Sequence, residues 1–132
     1  MFRKFLRSKI HKATVNEANL AYEGSITIPK SLILLSDMEV GEAVNVWNVT
    51  NGSRFETYIL EGKDADKEQG EVNQICINGA AAHLATPGDI IIIATFAYLL
   101  PEQVFGYEPK VLFVDADNYP KEIRAEMECR IN

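Results

Sequence analysis

Cysteine is scarce in this chain: Cys76 and Cys129 are the only two in 132 residues, and no Cys-x-x-Cys spacing occurs. That excludes a disulfide framework. Cys76 lies inside an apolar run and reads as a small buried hydrophobe, and Cys129 as part of the tail. Histidine is equally sparse, and neither His11 nor His83 has a partner at ligand spacing, so no metal is expected. Long apolar runs are missing too. The longest, Ile90 to Leu100, is broken by Thr95 and falls well short of the roughly 18–20 residues that span a bilayer. The basic start, Phe2-Arg3-Lys4-Phe5-Leu6-Arg7, leads into no apolar segment, so no signal peptide and no membrane association are expected, and the default location is cytoplasmic. An excess of positive charge is also lacking: the net charge of −6 argues against nucleic acid as a partner. No internal repeat or low-complexity segment is present.

What remains is the composition of one globular domain, 47% hydrophobic and 24% charged, spanning 1–132. Charge is unevenly spread, with Arg3, Lys4, Arg7, Lys9 and Lys12 all preceding the first acid, Glu17. Three readings fit that segment: a solvated basic face, an amphipathic targeting peptide, or a locally positive site for a small anion. Composition slightly favours the first.

Taken in order, Phe2 to Val15 predicts a strand with Phe5, Arg7, Lys9, His11 and Ala13 on one face. Asn16 can cap a helical turn through Glu17-Ala18-Asn19-Leu20. Pro29 suits the first turn of a helix over Lys30 to Leu35. Ala43 to Val49 reads as a strand, and Asn51-Gly52 as a tight type I′ hairpin that sets Val49 against Arg54 and Trp47 against Glu56. Arg54, Glu56 and Tyr58 then share one face, and Phe55, Thr57 and Ile59 the other. Glu61 to Glu71 is an exposed loop, Val72 to Ile77 a strand, and Asp89 to Phe96 a strand buried on both faces. Pro101 to Gly106 predicts a short helix and Lys110 to Asp115 a last strand; Asp117-Asn118 is a turn, and the tail from Tyr119 is weakly patterned. Short strands, tight turns and few helices point to a mainly β fold, a small barrel.

Gly24-Ser25, followed by Ile26-Thr27-Ile28, is the stretch with chemistry in it. Its plain reading is a turn entering a strand. Its sharper reading is self-cleavage: the Ser25 hydroxyl attacks the Gly24 carbonyl carbon, and the amide becomes an ester. β-Elimination then splits the chain and leaves a dehydroalanine that hydrolyses to an N-terminal pyruvoyl group. Glycine before serine leaves the carbonyl open and tolerates strained backbone. A second pair, Gly52-Ser53, reads only as a turn.

Lys9-Ile10-His11, Tyr22-Glu23-Gly24-Ser25, Val46-Trp47-Asn48-Val49-Thr50-Asn51-Gly52, Arg54-Phe55-x-Thr57-Tyr58, Asn78-Gly79-Ala80-Ala81-Ala82-His83 and Pro87-Gly88-Asp89-Ile90 occur together in this order. That set resembles the pyruvoyl-dependent aspartate 1-decarboxylases, from the N-terminus to about Asp117. The resemblance implies a six-stranded double-psi β-barrel assembled as a homotetramer with active sites between subunits. It also implies decarboxylation of L-aspartate to β-alanine for pantothenate synthesis, through a Schiff base to the pyruvoyl group and without pyridoxal phosphate.

Residue by residue, the resemblance implies cleavage between Gly24 and Ser25 into chains 1–24 and 25–132. Thr57 would bond the Gly24 carbonyl oxygen as it becomes an oxyanion, with Tyr22, Tyr58 and Asn78 holding that backbone. In the decarboxylation Ser25 supplies the pyruvoyl group and Tyr58 the proton. Arg54 and Lys9 hold carboxylates. The Gly79-Ala80-Ala81 amides, His11 and Trp47 complete the pocket. Thr57 and Tyr58 fall on opposite faces of a regular strand, a difficulty for a shared site that is eased only if the two act at different stages or in different subunits. The loop from Glu61 to Glu71 is several residues longer than the pattern of the resemblance, and some similar proteins need a maturation partner. The competing reading from another class is a non-enzymatic β-barrel that binds a protein or an anionic ligand. A hydrolase using Ser25 lacks a supporting triad, since neither histidine has an evident acid partner.

Overall fold

β-Branched residues dominate the extended stretches, and they settle into a largely antiparallel sheet. The computed structural model describes residues 1–125. Among these the strands are β1 (Arg3–Thr14), β2 (Glu17–Asn19), β3 (Ser25–Pro29), β4 (Ala43–Asn48), β5 (Arg54–Gly62), β6 (Cys76–Asn78), β7 (Ile90–Leu99), β8 (Lys110–Val114) and β9 (Pro120–Ala125). Two short helices, α1 (Lys30–Leu35) and α2 (Pro101–Val104), and 3-10 turns at Lys67–Gln69 and Gly79–His83 complete them. The fold is mainly β with short helices, as the sequence predicts.

The strands hydrogen-bond in the order β2-β6-β3-β5-β4-β7-β1-β8-β9. Six of them, β3 through β8 in that order, form the body; the three-residue β2 and β6 lie at one edge and β9 at the other. β1 is interior, antiparallel to β7 and parallel to β8. β3 is parallel to β5 and antiparallel to β6. The ladder does not close on itself; side chains join its ends instead. Asn118, fully buried with φ 60°, places its amide nitrogen 2.9 Å from the Thr14 carbonyl, 3.0 Å from Asn16 Oδ1 and 2.9 Å from the Asn73 carbonyl. Its Oδ1 accepts from the Thr14 amide at 2.8 Å, and its carbonyl accepts from Asn73 Nδ2 at 3.0 Å. One asparagine thus ties β1, the β1–β2 link and the segment before β6 to the β8–β9 turn.

Ile10, Ile26, Ile28, Ile59, Ile77, Ile91, Ile93 and Leu112 are fully buried between these strands, with Leu32 and Ile33 of α1 against them. Burying such side chains is the main stabilising term, at roughly 1.5–3 kcal/mol each.

Several expectations need correction. β1 carries register shifts at Leu6/Ser8 and Ile10/Ala13, the second at Lys12 with φ 61°. These bulges break the single predicted face: Ala13 joins Ile10 in the core, and only Lys9 and His11 stay together. Arg7, the extra residue of the first bulge, turns to Glu42 with two bonds of 2.8 and 2.7 Å. Glu17–Asn19 is a strand rather than a helical turn, because Asn16 Oδ1 accepts from the Ile75 amide at 2.7 Å and leads the chain alongside β6.

At the hairpin Trp47, not Val49, faces Arg54. Asn48 Oδ1 accepts from the amides of Thr50 and Asn51 at 3.0 and 3.2 Å, so the turn is wider, and only Gly52 has positive φ, where type I′ needs two. The slip is two residues, so every side chain keeps its predicted face. β5 runs on to Gly62, and the loop that follows holds one 3-10 turn. The predicted strand Val72–Ile77 shrinks to Cys76–Asn78, since Asn73 and Ile75 give their bonds to Asp117, Asn118 and Asn16. β7 is half-buried on one face at Ile90 and Ile92. The expected weakly patterned tail forms β9 up to Ala125; Cys129 lies outside the described residues.

Candidate functional site

Ser25 opens β3 directly opposite Asn78 of β6 and is fully buried. Its hydroxyl donates to the Glu23 carbonyl at 3.1 Å. With its hydrogen committed there, Oγ accepts from Asn78 Nδ2 at 3.0 Å. The same amide nitrogen donates to Thr27 Oγ1 at 3.1 Å, and Cys76 Sγ donates to Asn78 Oδ1 at 3.1 Å. Burial raises the Cys76 thiol pKa, and the Glu17 carboxylate, its partner across β2 and β6, pushes the same way.

Directly after Asn78 the backbone of Gly79 has φ 70°. A Cβ placed there would meet Gly24 Cα and N at 2.5 Å and the Tyr22 carbonyl at 3.0 Å. The Gly79–His83 turn is therefore pressed against the 22–24 segment, with Gly79 buried, Ala81 half-buried and Ala80 exposed. Gly24 itself lies outside the left-handed region and has open space where a Cβ would be. The demand for glycine is at Gly79, not at the strained Gly24 that the sequence suggests. Gly24 instead leaves an exposed peptide beside a buried serine. A cleft of about 330 Å³ adjoins it, lined by Tyr22, Thr27, Lys63, Cys76 and Asn78 among others.

A second group gathers around the Arg54–Trp47 pair. The Arg54 guanidinium lies 4.7 Å from the Trp47 ring centroid. Trp47 and Phe96 are 6.3 Å apart, and the Lys4 ammonium sits 4.7 Å from the Phe96 centroid. These side chains line another cleft of about 330 Å³. Tyr58 follows on the Arg54 face of β5, 37% exposed, while Thr57 is half-buried on the opposite face. The parallel pairing of β3 with β5 begins at Ile26 and Ile59, the residues that directly follow Ser25 and Tyr58.

Lys9 and His11 form a third group on β1, where Lys9 lies opposite Ala94 and Val111 and the His11 ring meets Phe113 edge-on at 5.2 Å. Three strands, β5, β4 and β7, separate β1 from β3 in the ladder. One chain therefore joins Tyr22, Gly24, Ser25, Asn78 and Gly79, carries Tyr58 on the strand paired with β3, and holds Lys9 and His11 on a strand separated from β3 by three others in the ladder. Thr27 and Cys76 are the members the sequence reading missed. Their signal was the period-two spacing of Cys76 with Asn78 and of Ser25 with Thr27 on facing strands. Among the described residues no group of three or more His, Cys, Asp or Glu could hold a metal ion, and no helix is long and apolar enough to cross a membrane.

Comparison with known proteins gives a consistent result. The family model described as aspartate decarboxylase matches residues 1–121. The chain is 54% identical to the aspartate 1-decarboxylase of Legionella pneumophila (strain Paris) over 125 residues, 95% of this chain and 90% of that protein. It is 52% identical to that of Myxococcus xanthus (strain DK1622) over 118 residues, 89% and 86% of the two chains. With that of Thermoanaerobacter pseudethanolicus the identity is 51% over 120 residues, 91% and 97%.

Proposed function

The chain belongs to the aspartate decarboxylase family, and from that premise we propose that it decarboxylates L-aspartate to β-alanine and carbon dioxide with a pyruvoyl group made from its own Ser25. β-Alanine is the amine half of pantothenate, which gives the reaction its use. The observation that carries the reading is the fixed, buried Ser25 hydroxyl beside the exposed Gly24 peptide.

In maturation Oγ bonds to the Gly24 carbonyl carbon while that carbon's bond to the Ser25 nitrogen breaks. The nitrogen takes up a proton and the link becomes an ester. Removal of the Ser25 Cα proton then breaks Cβ–Oγ, and Oγ departs as one oxygen of the Gly24 carboxylate. Water replaces the nitrogen, ammonia leaves, and a ketone remains at the new N-terminus. Asn78 serves the elimination best, because its N–H already points at the oxygen that ends up sharing a negative charge. Gly79 keeps the 22–24 segment in place, and Thr57 remains the proposed donor to the Gly24 oxyanion.

The pyruvoyl group supplies a ketone for the substrate amine and a conjugated carbonyl that accepts electrons as carbon dioxide leaves. The protein's part is to bind and orient. Arg54, braced by Trp47, presents a fork to a carboxylate. Tyr58, on the strand that pairs with β3, would return a proton to the substrate carbon. The backbone amides of Gly79, Ala80 and Ala81 would border the substrate. Lys9 and His11 lie on β1, separated from β3 by three strands in the ladder, and are assigned to the site of a neighbouring subunit in a homotetramer.

Mass spectrometry of the denatured full chain tests the proposal. It should give fragments 1–24 and 25–132, the larger with a borohydride-reducible ketone, and Ser25→Ala should stay whole and inactive. A wild-type chain that stays whole after warm incubation, with and without cell extract to supply a maturation partner, would overturn it.

A further inference from the structure

Cys76, Asn78, Ser25 and Thr27 form a chain of hydrogen bonds in which every direction depends on the next. Ser25 spends its single hydrogen on the Glu23 carbonyl, so Oγ has only lone pairs to offer Asn78. Asn78 must then face it with Nδ2. The two ends of an asparagine amide have nearly the same shape, so packing alone does not choose between them. Turned over, Asn78 would set Oδ1 against the lone pairs of Ser25 and point its N–H groups at sulfur, a weak acceptor.

We infer that Cys76 is a positioning residue for self-cleavage: its thiol hydrogen, held by Asn78 Oδ1, keeps the Asn78 N–H on Ser25 Oγ. The inference rests on the self-cleavage proposed above and adds a residue to it. Asn78 needs a donor at its other end, and a thiolate could not provide one. Burial and the neighbouring Glu17 carboxylate hold the thiol in its protonated form, with Lys63 on the rim of the same cleft as the opposing charge. The half-buried sulfur opens onto that cleft, so small reagents can reach it. A disulfide-forming cap on Cys76 replaces the S–H hydrogen and therefore removes the donor.

The test compares full-length wild type, Cys76→Ser and Cys76→Ala, each followed from fresh purification by denaturing mass spectrometry. Hydroxylamine, which cleaves the ester but spares the amide, reports how far the first step has gone. Wild type and Cys76→Ser, which keeps an O–H donor, should cut at similar rates. Cys76→Ala should cut about three- to tenfold more slowly, the worth of one modest hydrogen bond. In a Cys129→Ser background, methylthiolation of the remaining cysteine should slow cutting at least as much as Cys76→Ala does, and a reductant should restore it. That reversible arm uses folded protein and stands even if Cys76→Ala fails to fold. Equal rates for Cys76→Ala and wild type, a Cys76→Ser as slow as Cys76→Ala, or cutting unaffected by the cap would each overturn the positioning role while leaving self-cleavage intact. A wild type that never cuts would overturn self-cleavage and this role with it.

Discussion

A methyl group added at Gly79 would stand 2.5 Å from both the nitrogen and the Cα of Gly24, closer than non-bonded atoms come. The residue that needs to be glycine is thus 55 positions along the chain from Gly24, whose bond to Ser25 is the proposed point of cleavage. Gly79→Ala must both adopt φ 70° and push the 22–24 segment aside. We expect a chain that folds, destabilised by about 1–3 kcal/mol, and whose cleavage slows at least tenfold. Intact mass over time and thermal unfolding measure the two effects separately.

Gly24→Ala should behave differently. Its Cβ would meet nothing within 4 Å and its φ is compatible with alanine. Stability should change by less than about 0.5 kcal/mol, read from the same melting curves, with any loss of cleavage reporting access to the carbonyl.

The separation of Lys9 from Ser25 along the ladder leads to a complementation test. Lys9→Ala and Arg54→Ala should each be nearly inactive as pure proteins. If a site takes Lys9 from one subunit and Arg54 from its neighbour, mixed assemblies restore about a quarter of the sites. Co-expression followed by an assay for β-alanine reads this directly. Activity no greater than in either parent would place both residues in one subunit's site.

Asn118 offers a test of how the sheet is joined. Asn118→Ala loses bonds to Thr14, Asn16 and Asn73 and leaves a non-glycine residue at φ 60°. A loss of about 3–5 kcal/mol is expected. Asn118→Gly should lose roughly 1 kcal/mol less, because it relieves the backbone but not the missing bonds. Denaturant melts of the two variants against wild type give the difference.

A pH dependence follows from Glu42. Burial raises its pKa, but bonds from Thr95, Arg7 and the Glu39 amide, together with the Arg7 charge, outweigh that and leave it below 4.5. A carboxyl lowered on folding stabilises the protein fully above its unfolded pKa, and that stability is lost as pH falls through the folded value. Glu42→Gln should therefore cost about 1–2 kcal/mol at pH 7 and much less near pH 3. Melting temperatures at the two values decide it.

How much of this could be read beforehand depends on where the information lies. The alternation from Arg54 to Ile59 and the small residues after Asn78 are local patterns, and both were legible. β2 and β9 were not. Glu17-Ala18-Asn19 has no intrinsic preference for strand, and it becomes one because the Asn16 side chain reaches the Ile75 amide. β9 is exposed along nearly its whole length and is extended because β8 offers it an edge. The hairpin register failed for a related reason: the Asn48 side chain reorganised a turn whose glycine was correctly placed. Asparagine side chains bonded to distant backbone carry no periodicity, so the contacts that join this sheet are invisible to pattern. The site divides the same way. Ser25 and Asn78 were identified by motif, whereas Cys76 looked like another small apolar residue until its neighbour across the sheet was known.

The interior position of β1 has a consequence for the cut protein. Residues 1–24 hold β1 and β2, and β1 is bonded on both sides, by β7 and by β8. Severing the peptide after Gly24 would free no fragment under native conditions, because its departure would open the middle of the sheet. The result would instead be a two-piece molecule held without a covalent link. Its refolding after denaturation would become a second-order encounter between a short peptide and its host, so its recovery would depend on protein concentration. A precursor chain carries all its strands in one piece; its own product would first have to recover β1 and β2.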